Sequence, residues 1–191
     1  MNKTKKAISN GAIKIFSYDG YKGATMDDIA LEAGVAKGTL YYNFNSKEEI
    51  FNYIVQDGIN KLKEDIYETK VSNLSPINKL KRICRIQLNY LYKNKDFSKI
   101  ILSQLWGSEK RQENLRNIIN EYIKDIKTII DDAIDQKLIS ESNSSILANA
   151  FFGGFTSAAI YDMLNSEIEN IESVIETTLE FTLRGIGLQT S

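Results

Sequence analysis

The chain has 191 residues, with 24 basic and 25 acidic side chains, and its 42% hydrophobic and 26% charged content is typical of a soluble globular protein. It lacks histidine and has one cysteine, Cys84, which excludes Ser-His-Asp and Cys-His catalysis, histidine or cysteine-cluster metal sites and an intrachain disulfide. No apolar run reaches about 18 residues and residues 1–6 do not begin a signal peptide, so we expect a cytoplasmic protein without a membrane span.

Helical periodicity extends along the chain, which has a single proline and therefore favours an all-α fold. We predict about nine helices and no strand. The predicted helices span residues 3–18, 25–33, 36–44, 47–70, 76–94, a shorter helix from Asp96 or Ser98 to Trp106, 109–138, 144–165 and 168–187.

The net charge of −1 conceals an asymmetry between the two ends of the chain. Residues 1–48 hold seven lysines against five acids, a net charge of +2, whereas the remaining residues hold 17 basic against 20 acidic side chains, a net charge of −3. A weakly basic beginning on an acidic body is the sign expected of a protein that binds nucleic acid through its N-terminal part.

The stretch "GVAKGTLYYNF", residues 34–44, predicts a short helix after a tight glycine turn. The preceding helix has a capping box between Thr25 and Asp28. The side chains at three positions share the inner face of the short helix, and they are Ala36, Leu40 and Phe44. Gly38 and Tyr42 point outward, flanked by Lys37, Thr39 and Tyr41. This arrangement is a helix-turn-helix whose outer face suits a DNA major groove, with Lys47 placed to meet a phosphate.

Two other interpretations of this stretch stay open. Residues 1–46 are also compatible with a small three-helix subdomain that has surface tyrosines by chance. Alternatively, the tyrosine face meets another protein, and the chain is a helical interaction adaptor without a ligand response. Phosphate contacts make DNA affinity fall steeply with salt, which separates DNA binding from protein binding.

Residues 25–51, "TMDDIALEAGVAKGTLYYNFNSKEEIF", resemble the DNA-binding signature of the tetracycline-repressor (TetR/AcrR) family of bacterial transcription regulators. The resemblance implies a DNA-binding domain at residues 1–46, a ligand-binding and dimerisation domain at residues 47–191, and a homodimer that represses from a palindromic operator. It assigns phosphate contacts to Thr25, Tyr41 and Lys47, and base contacts to Lys37, Gly38, Thr39 and Tyr42. The sequence departs from the family at Ala36, where a serine cap is common, and at Tyr42-Asn43, where His-Tyr is common.

The last two helices are the predicted dimer interface. Residues 144–165 are apolar nearly all round, and a strip of small side chains there suits close packing of two copies in a four-helix bundle. The interface residues that we predict are Ala150, Phe151, Gly154, Phe155, Ala158, Ile175 and Leu179. A phosphate loop at "FFGGF" is the weaker interpretation, because the glycine spacing is wrong.

The middle helices are predicted to enclose a mainly apolar ligand pocket. Its candidate lining residues are Arg85, Tyr90, Gln104, Leu105, Trp106, Tyr122 and Phe152, with Gln87 as a further polar group. Each aromatic side chain taken alone is better explained by ordinary core packing, and only the set together favours a mainly apolar cavity with few polar groups. Residues 97–139 also resemble fatty-acyl-CoA-responsive members of the family, which implies an apolar or amphipathic effector, acyl-CoA among the candidates, whose phosphates meet Lys110 or Arg111.

An enzyme is the remaining alternative class. Asp131, Asp132 and Asp135 form a carboxylate cluster, but they lie off the apolar stripe of their helix and are better explained as a solvated face. We therefore expect no catalytic residue, no metal and no cofactor.

Overall fold

The computed structural model describes residues 3–165 and 171–185, and these residues form nine α-helices without a β-strand. The all-α prediction is confirmed. In chain order the helices are α1 (Lys3–Gly23), α2 (Met26–Glu32), α3 (Lys37–Asn43), α4 (Lys47–Val71), α5 (Pro76–Lys93), α6 (Lys95–Ser103), α7 (Lys110–Asp135), α8 (Ser144–Asn165) and α9 (Ile171–Gly185). The predicted start of the last helix at residue 168 and its end at 187 lie outside the described residues.

Helix α1 is longer than the prediction of residues 3–18. It continues to Gly23 through a kink at Gly20, whose φ of 72° and ψ of 164° are not helical. Glycine adopts this backbone conformation without steric cost, so the chain bends there and the helix resumes for one more turn. The side chain of Tyr21, directly after the kink, is buried.

Contacts divide the chain into two compact units. The first unit contains residues 1–60 and 94–117, and the second contains residues 61–93 and 118–191. Helix α6 belongs to the first unit because it packs on α1. The predicted domain boundary after residue 46 differs from this division by contacts and stays a prediction.

The core of the first unit joins α1 to α2, α3 and the beginning of α4. Its fully buried apolar side chains include Ile8, Ala12, Ile29, Leu40, Phe44, Ile50 and Phe51. Gly11 lets α1 approach α2 closely, since a Cβ atom at Gly11 would lie 2.8 Å from the backbone nitrogen of Ala33. This close packing fixes α2 on α1.

The core of the second unit is built from α5, α7, α8 and α9, with Ile66 from the second half of α4. It includes Leu80, Ile83, Leu88, Ile126, Ile130, Phe151, Phe155 and Ile175. Lys70 of α4 forms an ion pair with Asp125 of α7 at 2.8 Å on the surface of this unit. Among the described residues, no helix is long and apolar enough to cross a membrane.

Candidate functional site

Helix α2 begins with the capping box that the sequence predicts. The Thr25 hydroxyl accepts a hydrogen bond from the Asp28 backbone N–H at 3.1 Å, and the Asp28 carboxylate accepts one from the Thr25 backbone N–H at 3.3 Å. Both bonds satisfy donors that the first turn of a helix leaves without intrahelical partners. The start of α2 is therefore fixed by local interactions.

A tight turn separates α2 from α3. Gly34 has a φ of 64°, in the left-handed region that favours glycine, and the Val35 N–H donates to the Ala30 carbonyl at 3.0 Å. Ala36 is the residue before α3 and provides no side-chain cap. Its carbonyl accepts from the backbone N–H groups of Thr39 and Leu40 at 2.9 and 3.1 Å, so α3 starts without the hydroxyl that the family often has.

The two faces of α3 follow the predicted periodicity with one exception: Ala36, predicted on the inner face, is exposed and precedes the helix. Leu40 and Phe44 are buried, whereas Tyr42 is 90% exposed and Tyr41 is about half exposed. Gly38 lies on the same outward side as Tyr42, and a Cβ atom added there would meet no atom within 4 Å. These positions form an outward surface of α3, which we call the α3 outer face; its residues are Lys37, Gly38, Thr39, Tyr41 and Tyr42.

Side chains near the α3 outer face are already partly restrained. The Lys37 amine pairs with the Asp27 carboxylate at 2.5 Å, and this bridge raises the pKa of Lys37 through the hydrogen bond from its amine. Asn43 donates to the Thr39 carbonyl at 2.8 Å. The Lys5 amine lies 5.2 Å from the ring centre of Phe44, a contact between α1 and the end of α3 that no local sequence pattern predicts.

Lys47 occupies a different environment from the one predicted for a phosphate contact. Its amine donates to the backbone carbonyls of Tyr21, Lys22 and Ala24 at 2.9, 3.2 and 3.0 Å. The last carbonyls of a helix carry partial negative charge and lack intrahelical partners, so a cation there is favourable. The three donors of the amine are thus used to hold the end of α1, and Lys47 is not a free phosphate ligand in this structure.

Three residues predicted to line the ligand pocket, Gln87, Tyr122 and Phe152, contact each other in the second unit. The Tyr122 hydroxyl donates to Gln87 Oε1 at 2.8 Å, and Gln87 Nε2 lies 3.3 Å from both the Phe152 carbonyl and Thr156 Oγ1. The rings of Tyr122 and Phe152 meet edge to face at 5.6 Å. Burial raises the pKa of Tyr122, so its hydroxyl stays protonated. We call these four residues the Tyr122 cluster.

Several predicted pocket residues lie elsewhere. Trp106 is 82% exposed in the connection between α6 and α7, so the prediction that its ring lines a pocket is wrong. Gln104 and Leu105 precede Trp106 in the same connection, which belongs to the first unit, whereas the Tyr122 cluster belongs to the second. The sequence could not show this, because the apolar pattern of α6 runs on past Ser103, where the helix ends.

Two arginines also differ from their predicted places. Arg85 lies on the surface of the second unit and pairs with Glu172 and Glu176 of α9 along an open groove of about 800 Å³. Arg111 is only 2% exposed, so it is not free at a pocket mouth. Tyr90 is half-buried and stays a pocket prediction.

The predicted dimer interface requires a correction. Phe151, Phe155, Ile175 and Leu179 are buried inside the core of their own chain, so they do not present side chains to a second copy. The exposed side of α8 carries instead small side chains with two larger apolar ones, and its residues are Ile146, Ala150, Gly153, Gly154, Ser157 and Tyr161. Ala158, another predicted interface residue, is half-buried at the edge of this exposed side of α8. Because α8 is apolar nearly all round, periodicity could not separate its two faces.

The carboxylates of α7 are solvated or paired. Asp131 accepts from the Lys127 amine at 2.6 Å, and hydrogen bonds, first that of Lys127, lower the pKa of Asp131. Within residues 3–165 and 171–185, no group of three or more Asp, Glu or Cys side chains is placed to hold a metal ion.

Comparison with known proteins identifies the domains. Residues 8–54 match the family model "Bacterial regulatory proteins, tetR family", and residues 78–182 match "Tetracyclin repressor-like, C-terminal domain". The fatty acid metabolism regulator protein of Bacillus subtilis is 27% identical, over 94% of this chain and 93% of its own length.

Solved structures agree with this match. One from Clostridium perfringens, described as a candidate fatty acid metabolism regulator, is 43% identical with a TM-score of 0.90, covering 96% of this chain and all of that one. FadR from Bacillus subtilis in complex with stearoyl-CoA has a TM-score of 0.83 and 20% identity, covering 95% of this chain and 98% of that one, which shows a shared fold. The chain belongs to the tetR family of bacterial regulatory proteins and is a DNA-binding transcriptional regulator.

Proposed function

We propose that this regulator binds a palindromic operator as a homodimer and represses transcription until an acyl-CoA releases it. The observation that carries the DNA-binding part is the α3 outer face, where Tyr42 is 90% exposed while Leu40, on the opposite side of the same short helix, is fully buried. A face of hydroxyls and one amine around a glycine is suited to hydrogen bonds with base edges and phosphates in a major groove.

The α3 outer face divides into two sets of contacts in this proposal. Lys37, Gly38, Thr39 and Tyr42 face base edges, and Tyr41 meets a phosphate of the backbone. Thr25 stays a candidate phosphate contact, although its hydroxyl also serves the capping box. Lys47 supports the site indirectly by holding the end of α1.

We assign the dimer interface to the exposed side of α8 together with Phe181 of α9, which is 79% exposed. Small residues at Ala150, Gly153, Gly154 and Ser157 allow two helices to approach closely. Two copies of α8 and α9 would form a four-helix bundle and place two α3 helices on half-sites about 34–36 Å apart or a multiple of that spacing.

The effector proposal is supported by the Tyr122 cluster and by the relatives. Gln87 and Thr156 are buried polar side chains in an otherwise apolar core, the pattern of a site that binds an apolar chain and orients a polar group. The relatives include a fatty acid metabolism regulator and FadR bound to stearoyl-CoA. We therefore propose a long-chain acyl thioester, with no catalytic step and no cofactor.

Release of DNA follows from a population shift. Helix α4 runs from the first unit into the second, so a ligand that favours one position of α4 changes the spacing of the two α3 helices. The ligand shifts this equilibrium only by its differential affinity for the two states.

The test is a titration of the preformed protein–operator complex with stearoyl-CoA, followed by fluorescence anisotropy of the labelled DNA. We expect operator affinity to fall by about tenfold, within the usual range of coupling between two sites. Free coenzyme A and stearate, each at the same concentration, are the controls and should have little effect. An equal effect of coenzyme A alone, or no effect of stearoyl-CoA, would contradict the effector proposal.

A further inference from the structure

Tyr21 is the centre of a buried cluster in the first unit. Its ring lies 5.4 Å from the ring centres of both Phe16 and Phe51. Two cations also approach the ring: the guanidinium carbon of Arg111 is 3.8 Å from its centre, and the Lys47 amine is 4.9 Å from it. Burial raises the pKa of Tyr21, which keeps the ring neutral and suited to cation–π contact.

Arg111 is an unusual buried charge. It is the second residue of α7 and is 2% exposed. Its guanidinium pairs with Glu109 and donates to Gln104 Oε1 at 2.9 Å, while its Nε has no hydrogen-bond partner among the described residues. Burying a guanidinium costs free energy unless nearby groups replace its interactions with water. Besides Glu109 and Gln104, the face of the Tyr21 ring provides such an interaction for Arg111.

Arg111 belongs to a segment that is held together by side chains of α7. Gln112 donates to the Trp106 carbonyl at 2.7 Å, and Arg116 donates to the carbonyls of Leu105 and Gly107 at 3.1 and 2.9 Å. The connection of residues 104–109, which we call the α6–α7 loop, is thereby fixed to the first two turns of α7. A displacement of that part of α7 would move the loop and Arg111 together.

The other side of the cluster leads to the DNA-binding helices. The carbonyl of Tyr21 and that of Ala24 both accept from Lys47, and Ala24 directly precedes Thr25, the residue that caps α2. Tyr21, Lys47 and the α1–α2 turn are therefore joined by direct contacts immediately before α2 begins, and α3 follows α2 through the Gly34 turn.

We infer that Arg111 is a positioning residue for operator binding, which holds the α1–α2 turn in place through Tyr21 and so connects the α6–α7 loop to the α3 outer face. The inference depends on the proposed function, because the effect appears in DNA binding. Arg111 itself does not contact DNA in this account.

The experiment compares Arg111→Met with Lys124→Met in the full chain. Met keeps the length of the side chain without its charge, and Lys124 is an exposed lysine on the same helix, paired with Glu121 in a surface bridge at 2.6 Å. We expect Arg111→Met to weaken operator binding about tenfold and Lys124→Met to leave it within about twofold. The dependence of log Kd on log salt should keep its slope in both, since neither loses a phosphate contact.

A second readout uses Trp106, the single tryptophan of the chain, which lies in the α6–α7 loop. Addition of operator DNA should change its fluorescence in the wild type, and Arg111→Met should abolish that change. A structural role that merely lowers stability would reduce the melting temperature without removing this response.

The outcomes separate the inference from the proposed function. A folded Arg111→Met variant with wild-type affinity overturns the inference alone, and so does a salt slope that falls by about one, because Arg111 would then be a phosphate contact. If the wild type binds no duplex, the proposed function and the inference both fail. If Arg111→Met does not fold, Arg111→Lys replaces it in the test, because lysine keeps the positive charge but cannot stack a planar group on the Tyr21 ring. A loss of operator affinity of about tenfold in Arg111→Lys supports the inference, and wild-type affinity overturns it.

Discussion

Replacing Gly38 by alanine is expected to lower operator affinity by about 10- to 100-fold while leaving the melting temperature unchanged or higher. A Cβ atom at Gly38 meets nothing within 4 Å in the chain, and alanine is a better helix former than glycine by about 1 kcal/mol. Since the added methyl meets no neighbour among the described residues, we expect it to act on the surface of the bound DNA. A lost base contact typically costs about 1–3 kcal/mol, which gives this range. Thermal denaturation and anisotropy titrations measure the two quantities.

Thr128→Ala is the matched control for Gly38→Ala. Thr128 is exposed on α7 in the second unit, far along the chain from α3. Replacing it by alanine also raises helix propensity, as Gly38→Ala does. It should leave operator affinity unaltered. If Gly38→Ala bound the operator as tightly as the wild type, the α3 outer face would not approach DNA closely and the site assignment would be wrong.

Replacing Gly153 by glutamate is expected to produce monomers and to lower operator affinity by about 100-fold or more. Gly153 is exposed on α8, and a Cβ atom there has open space, so the chain itself tolerates the side chain. In a dimer packed through α8, two carboxylates would be buried close together without partners, which is strongly unfavourable. A monomer loses the gain from binding two linked half-sites. Sedimentation and DNA titration report the two effects.

Position 153 is a sharper test than the phenylalanines beside it. Phe155 is fully buried in its own chain, so a charged residue there would disrupt the core whether or not the protein dimerises. Thr128→Glu adds the same charge at an exposed position of the second unit and should remain a dimer with normal affinity. A dimeric Gly153→Glu variant with full affinity would show that α8 is not the interface.

The DNA-binding helices were predictable because their information is local. The Thr25–Asp28 capping box, the glycine turn and the spacing of Leu40 and Phe44 involve residues a few positions apart, and the structure contains each of them. An amphipathic pattern also indicates which face of a helix is buried. For α3, the spacing of apolar residues therefore predicted both the helix and the side chains on its outward face.

The remaining differences arise from contacts between residues far apart in the chain. Lys47 is held by carbonyls about 25 residues earlier, and Arg111 stacks on Tyr21 across 90 positions, neither of which a local pattern encodes. The first helix was predicted to end at residue 18, but Gly20 allows a kink instead of an end, and Tyr21 is buried against Phe51 just after that kink.

The most direct test of the α3 outer face as the DNA-reading surface is selection of bound duplexes from a random-sequence pool by the full-length protein. We expect enrichment of a two-fold symmetric site whose half-sites lie about 34–36 Å apart or at a multiple of that spacing. Binding to those duplexes should weaken linearly in log Kd against log salt. A pool in which no sequence is enriched, or binding that does not respond to salt, would contradict it.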